Sequence, residues 1–234
     1  MAALATATLR LSAGELRIAH EVAVPGAPVP AAEVLPALQG LVNAVVEAAE
    51  RQSLEAGLAI SCRKGCGACC RQLVPISTTE GRRLLDLIEA LPGERRAAVR
   101  RRFAEAGAAI AAAGLAVPAG RSDREMSVGY FALRLPCPFL EDESCSIHPD
   151  RPLVCREYLV TSPAGLCAGE TQEGVTPVPV PKFSAAARGL EEDGGRWFPL
   201  AMLTEWAKSR PRKLARRTGM EWLQRFLKGV SGVR

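Results

Sequence analysis

The stretch Cys62-Arg63-Lys64-Gly65-Cys66-Gly67-Ala68-Cys69-Cys70 puts four thiols within nine residues, and Cys137, Cys145, Cys155 and Cys167 follow further on. A thiolate is the softest ligand a side chain offers; it binds zinc, copper(I) and iron–sulfur clusters. A free cysteine can also fill a core as a small hydrophobe. Here, however, Gly65, Gly67, Arg63, Lys64 and Arg71 make the run a polar loop. Its glycines let the backbone curl, because glycine reaches left-handed conformations at little cost. The stretch therefore predicts a metal centre in irregular, cysteine-rich loops, with the rest of the chain as its scaffold.

Disulfides are a poorer reading of the same residues. The opening Met1-Ala2-Ala3-Leu4-Ala5-Thr6 has no basic start followed by a long apolar stretch, so the expected compartment is the reducing cytoplasm. There, clustered cysteines bind metals or do chemistry more often than they pair. A bridge between the neighbours Cys69 and Cys70 would also be strained.

At 234 residues and 48% hydrophobic content, the chain can build one cored domain with appendages. No apolar run reaches the roughly 20 residues of a membrane span, so none is expected. The two histidines, His20 and His148, leave few candidates for imidazole chemistry. Charge is uneven. Residues 208–234 hold nine Lys or Arg against one acid, Glu221, whereas the whole chain carries +5. Such a tail is either the solvated face of a helix or a contact for nucleic acid, an anionic surface or an acidic partner. Few aromatics lie between its charges, which argues against single-stranded nucleic acid.

Outward from the cysteines, the pattern is mostly helical. Residues 8–24 alternate weakly about Ser12-Ala13-Gly14 and read as a small β-hairpin, followed by a Pro/Gly linker over 25–30. Val34, Leu35, Leu38, Leu41, Val42, Val45 and Val46 recur at helical spacing and predict an amphipathic helix over 31–56. Ser77-Thr78-Thr79-Glu80 is a capping-box signature before Leu84, Leu85, Leu87 and Ile88. Pro92-Gly93 ends that helix, and a second over 94–113 completes a helical hairpin. Residues 114–135 read as irregular to extended. Pro138, Pro149 and Pro152 forbid a long helix before residue 152. Residues 163–181 are rich in Pro and Gly. Helices are expected near 184–191, 198–208 and 213–229. The last carries Leu214, Met220, Trp222, Leu223, Phe226 and Leu227 as an apolar stripe that should dock on the domain. The expected fold is mainly α, with a small N-terminal β-hairpin and a metal-centred single domain. Its segments are 1–30 (hairpin and linker), 31–170 (cysteine-cluster domain with the helical hairpin) and 171–234 (helical extension with a basic tail).

The two cysteine blocks, 66 residues apart, must converge if most thiols are to share a task. Eight thiols could make two four-thiolate sites, or one site with spare cysteines. The gaps between successive cysteines are three, two and zero residues in the first block, then seven, nine and eleven after Cys137. This differs from the two-residue knuckles of a zinc ribbon. A close group of thiolates with a distant partner, and the Cys137-Pro138 pair, suit iron–sulfur ligation at least as well. Arg63, Lys64, Arg71, Arg151 and Arg156 beside the thiols would offset thiolate charge. His148 reads either as a direct ligand or as a hydrogen-bonding residue in a Pro-rich turn. Arg151, Arg156 and Tyr158 read either as groups around the ligands or as packing and ion-pair residues. Cys62-x3-Cys66-x2-Cys69 also has the spacing of radical S-adenosylmethionine enzymes. Ala68 stands where those carry an aromatic, and no repeated βα units are found.

Taken together, Cys62, Cys66, Cys69 and Cys70, then Cys137-Pro138-Phe139-Leu140, Cys145, Arg151-Pro152, Cys155-Arg156 and Tyr158 resemble the YkgJ-type cysteine-cluster family, the zinc- or iron-chelating CxxCxxCC domain. Cys167 with Gly169 looks like that family's trailing Cys-x-Gly. The resemblance covers about 62–170 and implies that the eight cysteines hold zinc or an iron–sulfur cluster. One branch is similar to flagellin lysine N-methylases, which implies methyl transfer from S-adenosylmethionine; no glycine-rich nucleotide loop is found here to support it. Three functions follow as expectations. One is a metal-binding protein acting in redox or on a protein or peptide partner. The second is an iron–sulfur-dependent protein-modifying enzyme. The third is a zinc-stabilised interaction module whose basic tail, 208–234, grips nucleic acid or an acidic partner.

Overall fold

A computed structural model describes residues 3–13, 16–116, 120, 122–169, 173–190, 196–210 and 213–232. The N-terminal hairpin is longer than its sequence signal. Strands β1 (Leu4–Ala13) and β2 (Leu16–Pro25) pair antiparallel from Leu4↔Pro25 to Ala13↔Leu16. Its turn at 14–15 lies outside the described residues. Leu16, Ile18, His20, Val22 and Val24 alternate inward along β2, and Val22 and Val24 are fully in the core.

Helix α1 (Leu35–Glu55) follows a short 3-10 turn at Ala31–Glu33 and starts with Pro36 in its first turn, where no N–H is needed. Leu35, Leu38, Leu41, Val42, Val45, Val46 and Ala49 form one buried stripe at i, i+3, i+4 spacing. Each fully buried Leu or Val of this kind contributes about 1.5–3 kcal/mol relative to exposure. The stripe is the spine of the largest core, which it shares with β2, with Leu153 and with helices α6 (Phe183–Arg188) and α8 (Gly219–Gly232).

The tail stripe docks as expected. Trp222, Leu223 and Phe226 are buried; the indole N–H of Trp222 donates to Val29 O at 2.8 Å, and Phe226 stacks on Phe183 at 6.0 Å. Gly219 is required, since a Cβ there would lie 2.6 Å from Pro25 O. Several tail cations serve local contacts. Lys208 pairs with Glu205, Arg216 donates to Pro28 O, Arg217 lies over the Trp222 ring and Arg225 donates to Gly189 O.

A second core lies under the cysteines. Strand β3 (Pro75–Ser77) leads into α2 (Thr78–Ala90), whose cap is the capping box read from the sequence: Glu80 N–H donates to Ser77 Oγ, and Ser77 N–H donates to Glu80 Oε2. Pro92 ends the connection, and α3 (Gly93–Ala112) returns with Val99 and Phe103 buried against Leu84, Ile88, Phe139 and Ile147.

Two elements differ from the sequence reading. Residues 114–135 are not uniformly irregular, because α4 (Asp123–Ala132) lies there behind a second capping box, Ser122 with Glu125. It buries Met126 and Tyr130 against Ile110, Leu115 and Met202. The expected helix over 198–208 begins later, as α7 (Leu203–Ser209). Residues ahead of it form strand β6 (Trp197–Pro199), which pairs antiparallel with β3. The remaining short elements carry cysteines: strands β4 (Leu140–Glu141) and β5 (Ser144–Cys145), and helix α5 (Leu153–Glu157). No described helix is long and apolar enough to cross a membrane.

Candidate metal centre

The first block begins where α1 stops. Gly57, at φ 77°, closes the helix, and the chain runs on to Ser61, whose N–H donates to Val160 O at 2.9 Å. Gly65, at φ 87°, turns the chain so that Cys66 N–H donates to Arg63 O. A 3-10 turn, Ala68–Arg71, then carries Cys69 and Cys70. Gly67 cannot be replaced without movement: a Cβ there would collide with the Glu143 carboxylate and lie 3.0 Å from Leu140. So the first block is packed directly against the β4–β5 hairpin of the second.

The junction is closed by a backbone bond, Cys137 N–H to Cys70 O at 2.7 Å. Two residues with 66 others between them in sequence are therefore in contact, as convergence requires. Side chains reinforce the junction. Arg71 makes a two-pronged pair with Glu143, at 2.9 and 2.5 Å, and also donates to Gly67 O. Glu143 and Asp142 form the tight β4–β5 turn at φ 56° and 48°, a left-handed conformation that costs a residue with a Cβ. The Arg71 fork holds that turn in place. From the other side, Arg102 of α3 donates to Leu140 O and Glu141 Oε1, and Arg95 to Ser146 O.

Cys155 sits on α5, which is held by buried charge. Glu80 Oε1 accepts from Leu153 N–H at 2.8 Å, so the capping box of α2 also caps α5. Arg156 is 2% exposed; it donates to Arg151 O, Pro149 O and Asn43 Oδ1 and so clamps the 149–151 turn onto α1. Burial lowers its pKa to about 10, which leaves it charged at neutral pH. Glu157, also buried, accepts from Ser184 N–H and Oγ and fixes the start of α6. Burial raises the pKa values of both Glu80 and Glu157.

The thiols sit close enough to feel one another. Burial raises Cys62, which also feels Cys69, Cys66 and Cys167. The Cys70 hydrogen bond raises Cys69, with burial adding to it. Burial pushes Cys137 up to about 12, with Cys145 and Cys69 adding to it, and holds Cys155 well above its ordinary range beside Cys137, Cys69 and Cys145. Cys145 and Cys167 are raised by burial too, and both feel Cys69. Burial and the repulsion that neighbouring thiolates would feel both disfavour ionisation here; a bound soft cation removes that penalty, with each ligating thiol releasing a proton. In this protonated arrangement, no three His, Cys, Asp or Glu side chains among the described residues already converge as ligands of one ion. The donor chemistry, thiols with an arginine beside them, fits zinc or iron.

The other sequence candidates are placed as follows. Arg151 lies near Cys69 and Cys145, and its charge opposes the rise in both without reversing it. His148 is exposed, with Nε2 against the Arg151 guanidinium, and its pKa is lowered by burial and by that cation. The Tyr158 hydroxyl is buried near Cys167 and Gln72, yet among the described residues it makes no hydrogen bond of normal geometry. Sequence reasoning missed Glu80, Glu157, Arg102 and the Arg71–Glu143 fork. Only Glu80 had a local signal, as the last residue of the capping box.

These features define a mainly α, cysteine-cluster protein with its thiols at one junction. Residues 61–176 match the model of the CxxCxxCC domain, described as a putative zinc- or iron-chelating domain. The match takes in all eight cysteines. Neither the curated proteins nor the solved structures gave a match to this chain.

Proposed function

We propose that this protein binds zinc or an iron–sulfur cluster through thiolates drawn from Cys62, Cys66, Cys69, Cys70, Cys137, Cys145, Cys155 and Cys167. The observation that carries this reading is the contact of the two cysteine blocks at Cys137 N–H and Cys70 O, which gives thiols distant in sequence one neighbourhood. The match of residues 61–176 to a domain described as zinc- or iron-chelating supports it. Arg151 stands ready to offset thiolate charge, and Arg156 holds the turn that carries Arg151. Zinc would cross-link the blocks; an iron–sulfur cluster would in addition carry an electron, which is the chemistry a redox role or the modification of a partner protein would need.

Elemental analysis of freshly purified, tag-free protein under anaerobic conditions tests the reading. Zinc without colour marks a structural cross-link. Iron with acid-labile sulfide and a brown colour marks a cluster. Bound metal should also raise the melting temperature, since ligand binding to the folded state is folding free energy. A metal-free protein whose melting ignores both chelator and Cys66→Ser would reject the proposal.

A further inference from the structure

The N-terminal hairpin leaves one long edge uncovered. Among the described residues β1 has β2 as its one strand neighbour, and the pairs from Leu4↔Pro25 to Ala13↔Leu16 run without a bulge. Ala3 O accepts from Gly26 N–H at 2.8 Å, which continues the same register one residue before Leu4. Bonded and unbonded pairs alternate along an antiparallel ladder, so Ala5, Ala7, Leu9 and Leu11 aim their backbone groups at β2. Leu4, Thr6, Thr8, Arg10 and Ser12 aim theirs at the open edge, where no described residue bonds them. Edge strands are ordinarily blunted by proline, lysine, a bulge or a covering element. β1 holds no proline, no lysine and no acid, and one cation, Arg10. On the face turned to the core, Val22 and Val24 are fully buried near the base of the hairpin. Leu9, Leu11, Leu16 and Ile18, nearer its turn, stay half-buried.

We propose that β1 pairs antiparallel with β1 of a second copy of this chain, about a two-fold axis at Thr8, to make one four-stranded sheet. Residues of one face must stand opposite each other, or the half-buried leucines would turn to solvent. Among such registers, the one centred on Thr8 bonds all five outward residues of each copy, because Leu4, Thr6, Thr8, Arg10 and Ser12 are symmetric about it. Thr8 then faces Thr8, Thr6 faces Arg10 and Leu4 faces Ser12. The same register sets large against small on the inner face. Leu11 lies opposite the second copy's Ala5, and Leu9 opposite its Ala7, whose β2 neighbours are the buried Val24 and Val22. The half-covered end of each hairpin thus borders the core-backed base of the other. Arg10 stands across from a threonine and not from another Arg10, so no like charges are opposed. This inference is independent of metal binding.

Sedimentation equilibrium of reduced, full-length protein over a concentration series tests it. The wild type should reach the mass of two copies. Thr8→Pro removes an N–H that β2 does not use, which an edge position tolerates; its mass should fall to one copy with an unchanged circular dichroism spectrum. Thr6→Lys puts a cation opposite the second copy's Arg10 and should weaken the dimer several-fold, and adding Arg10→Glu should restore it. A single-copy mass at every concentration would overturn the proposal and leave the edge to a strand of another protein. A two-copy mass that Thr8→Pro leaves intact would overturn it as well. A dimer that Thr8→Pro dissociates but Thr6→Lys does not weaken would overturn the Thr8-centred register. Should Thr8→Pro fail to fold, Thr6→Lys and its rescue by Arg10→Glu decide alone.

Discussion

The core around α1 and the junction of the cysteine blocks are held together in opposite ways. Around α1, apolar side chains at helical spacing meet a β-strand and two further helices, and order follows from burial. At the cysteine junction the elements are very short, two residues for β4 and for β5 and five for α5. Order there comes from polar tethers: Arg71 on Glu143, Arg102 on Glu141, Arg156 on carbonyls, Glu80 on the α5 N-terminus. The first region should stand on its own. The second should depend on each tether and, on the reading proposed above, on bound metal.

The largest expected effect breaks the α1 side. Phe226→Ala removes a fully buried ring stacked on Phe183 and should cost about 3–5 kcal/mol in denaturant unfolding. That cost should be the same with and without chelator. A chelator-dependent cost would mean that the two regions are energetically one.

Next comes the junction. Arg156→Ala removes the Arg156 donor to Pro149 O and to Asn43 Oδ1 and leaves Arg151 O with Gln39 alone, and should cost about 1–3 kcal/mol. Unlike Phe226→Ala, it should also lower metal content, since it frees the turn that precedes Cys155. Unchanged metal content in a folded Arg156→Ala protein would show that the clamp serves packing alone.

The smallest effect is in the acid limb of stability. The Arg102 hydrogen bond holds Glu141 below its ordinary 4.5. A lowered folded-state value means that this contribution is complete above pH 4.5 and is lost as the pH falls through the lowered value. The pair is partly exposed, so Arg102→Gln should remove only about 0.2–1 kcal/mol, at neutral pH and not at strongly acid pH. Buried Glu80 and Glu157 act with the opposite sign. Their raised values make folding less favourable as pH rises from 4.5 through the folded values, so they cannot account for an acid loss.

The same contrast decides what could be read from sequence. α1, α2 and the docked stripe of α8 were legible because long periodic patterns and a capping box are local signals. α4 falls in the stretch read as irregular to extended, although Ser122 and Glu125 carry the same capping-box signal as Ser77 and Glu80. β6 is three residues long and exists through its pairing with β3, so no local pattern announces it. The β4–β5 turn uses Asp142 and Glu143 where glycine or asparagine would have marked it, and a distant arginine supports it. The cysteines of the site were legible as residues. Their supports were not, because Arg71–Glu143, Glu80–Leu153 and Arg156–Asn43 each join positions 70 or more residues apart.

The central claim is that these thiolates hold a metal, and X-ray absorption at the metal edge of anaerobically purified, full-length protein tests it most directly. The account predicts a first shell made of sulfur alone, at about 2.3 Å for zinc, or sulfur with a short iron–iron vector for a cluster. A shell dominated by oxygen or nitrogen, or protein with no metal and all eight thiols freely titratable in the folded state, would contradict it.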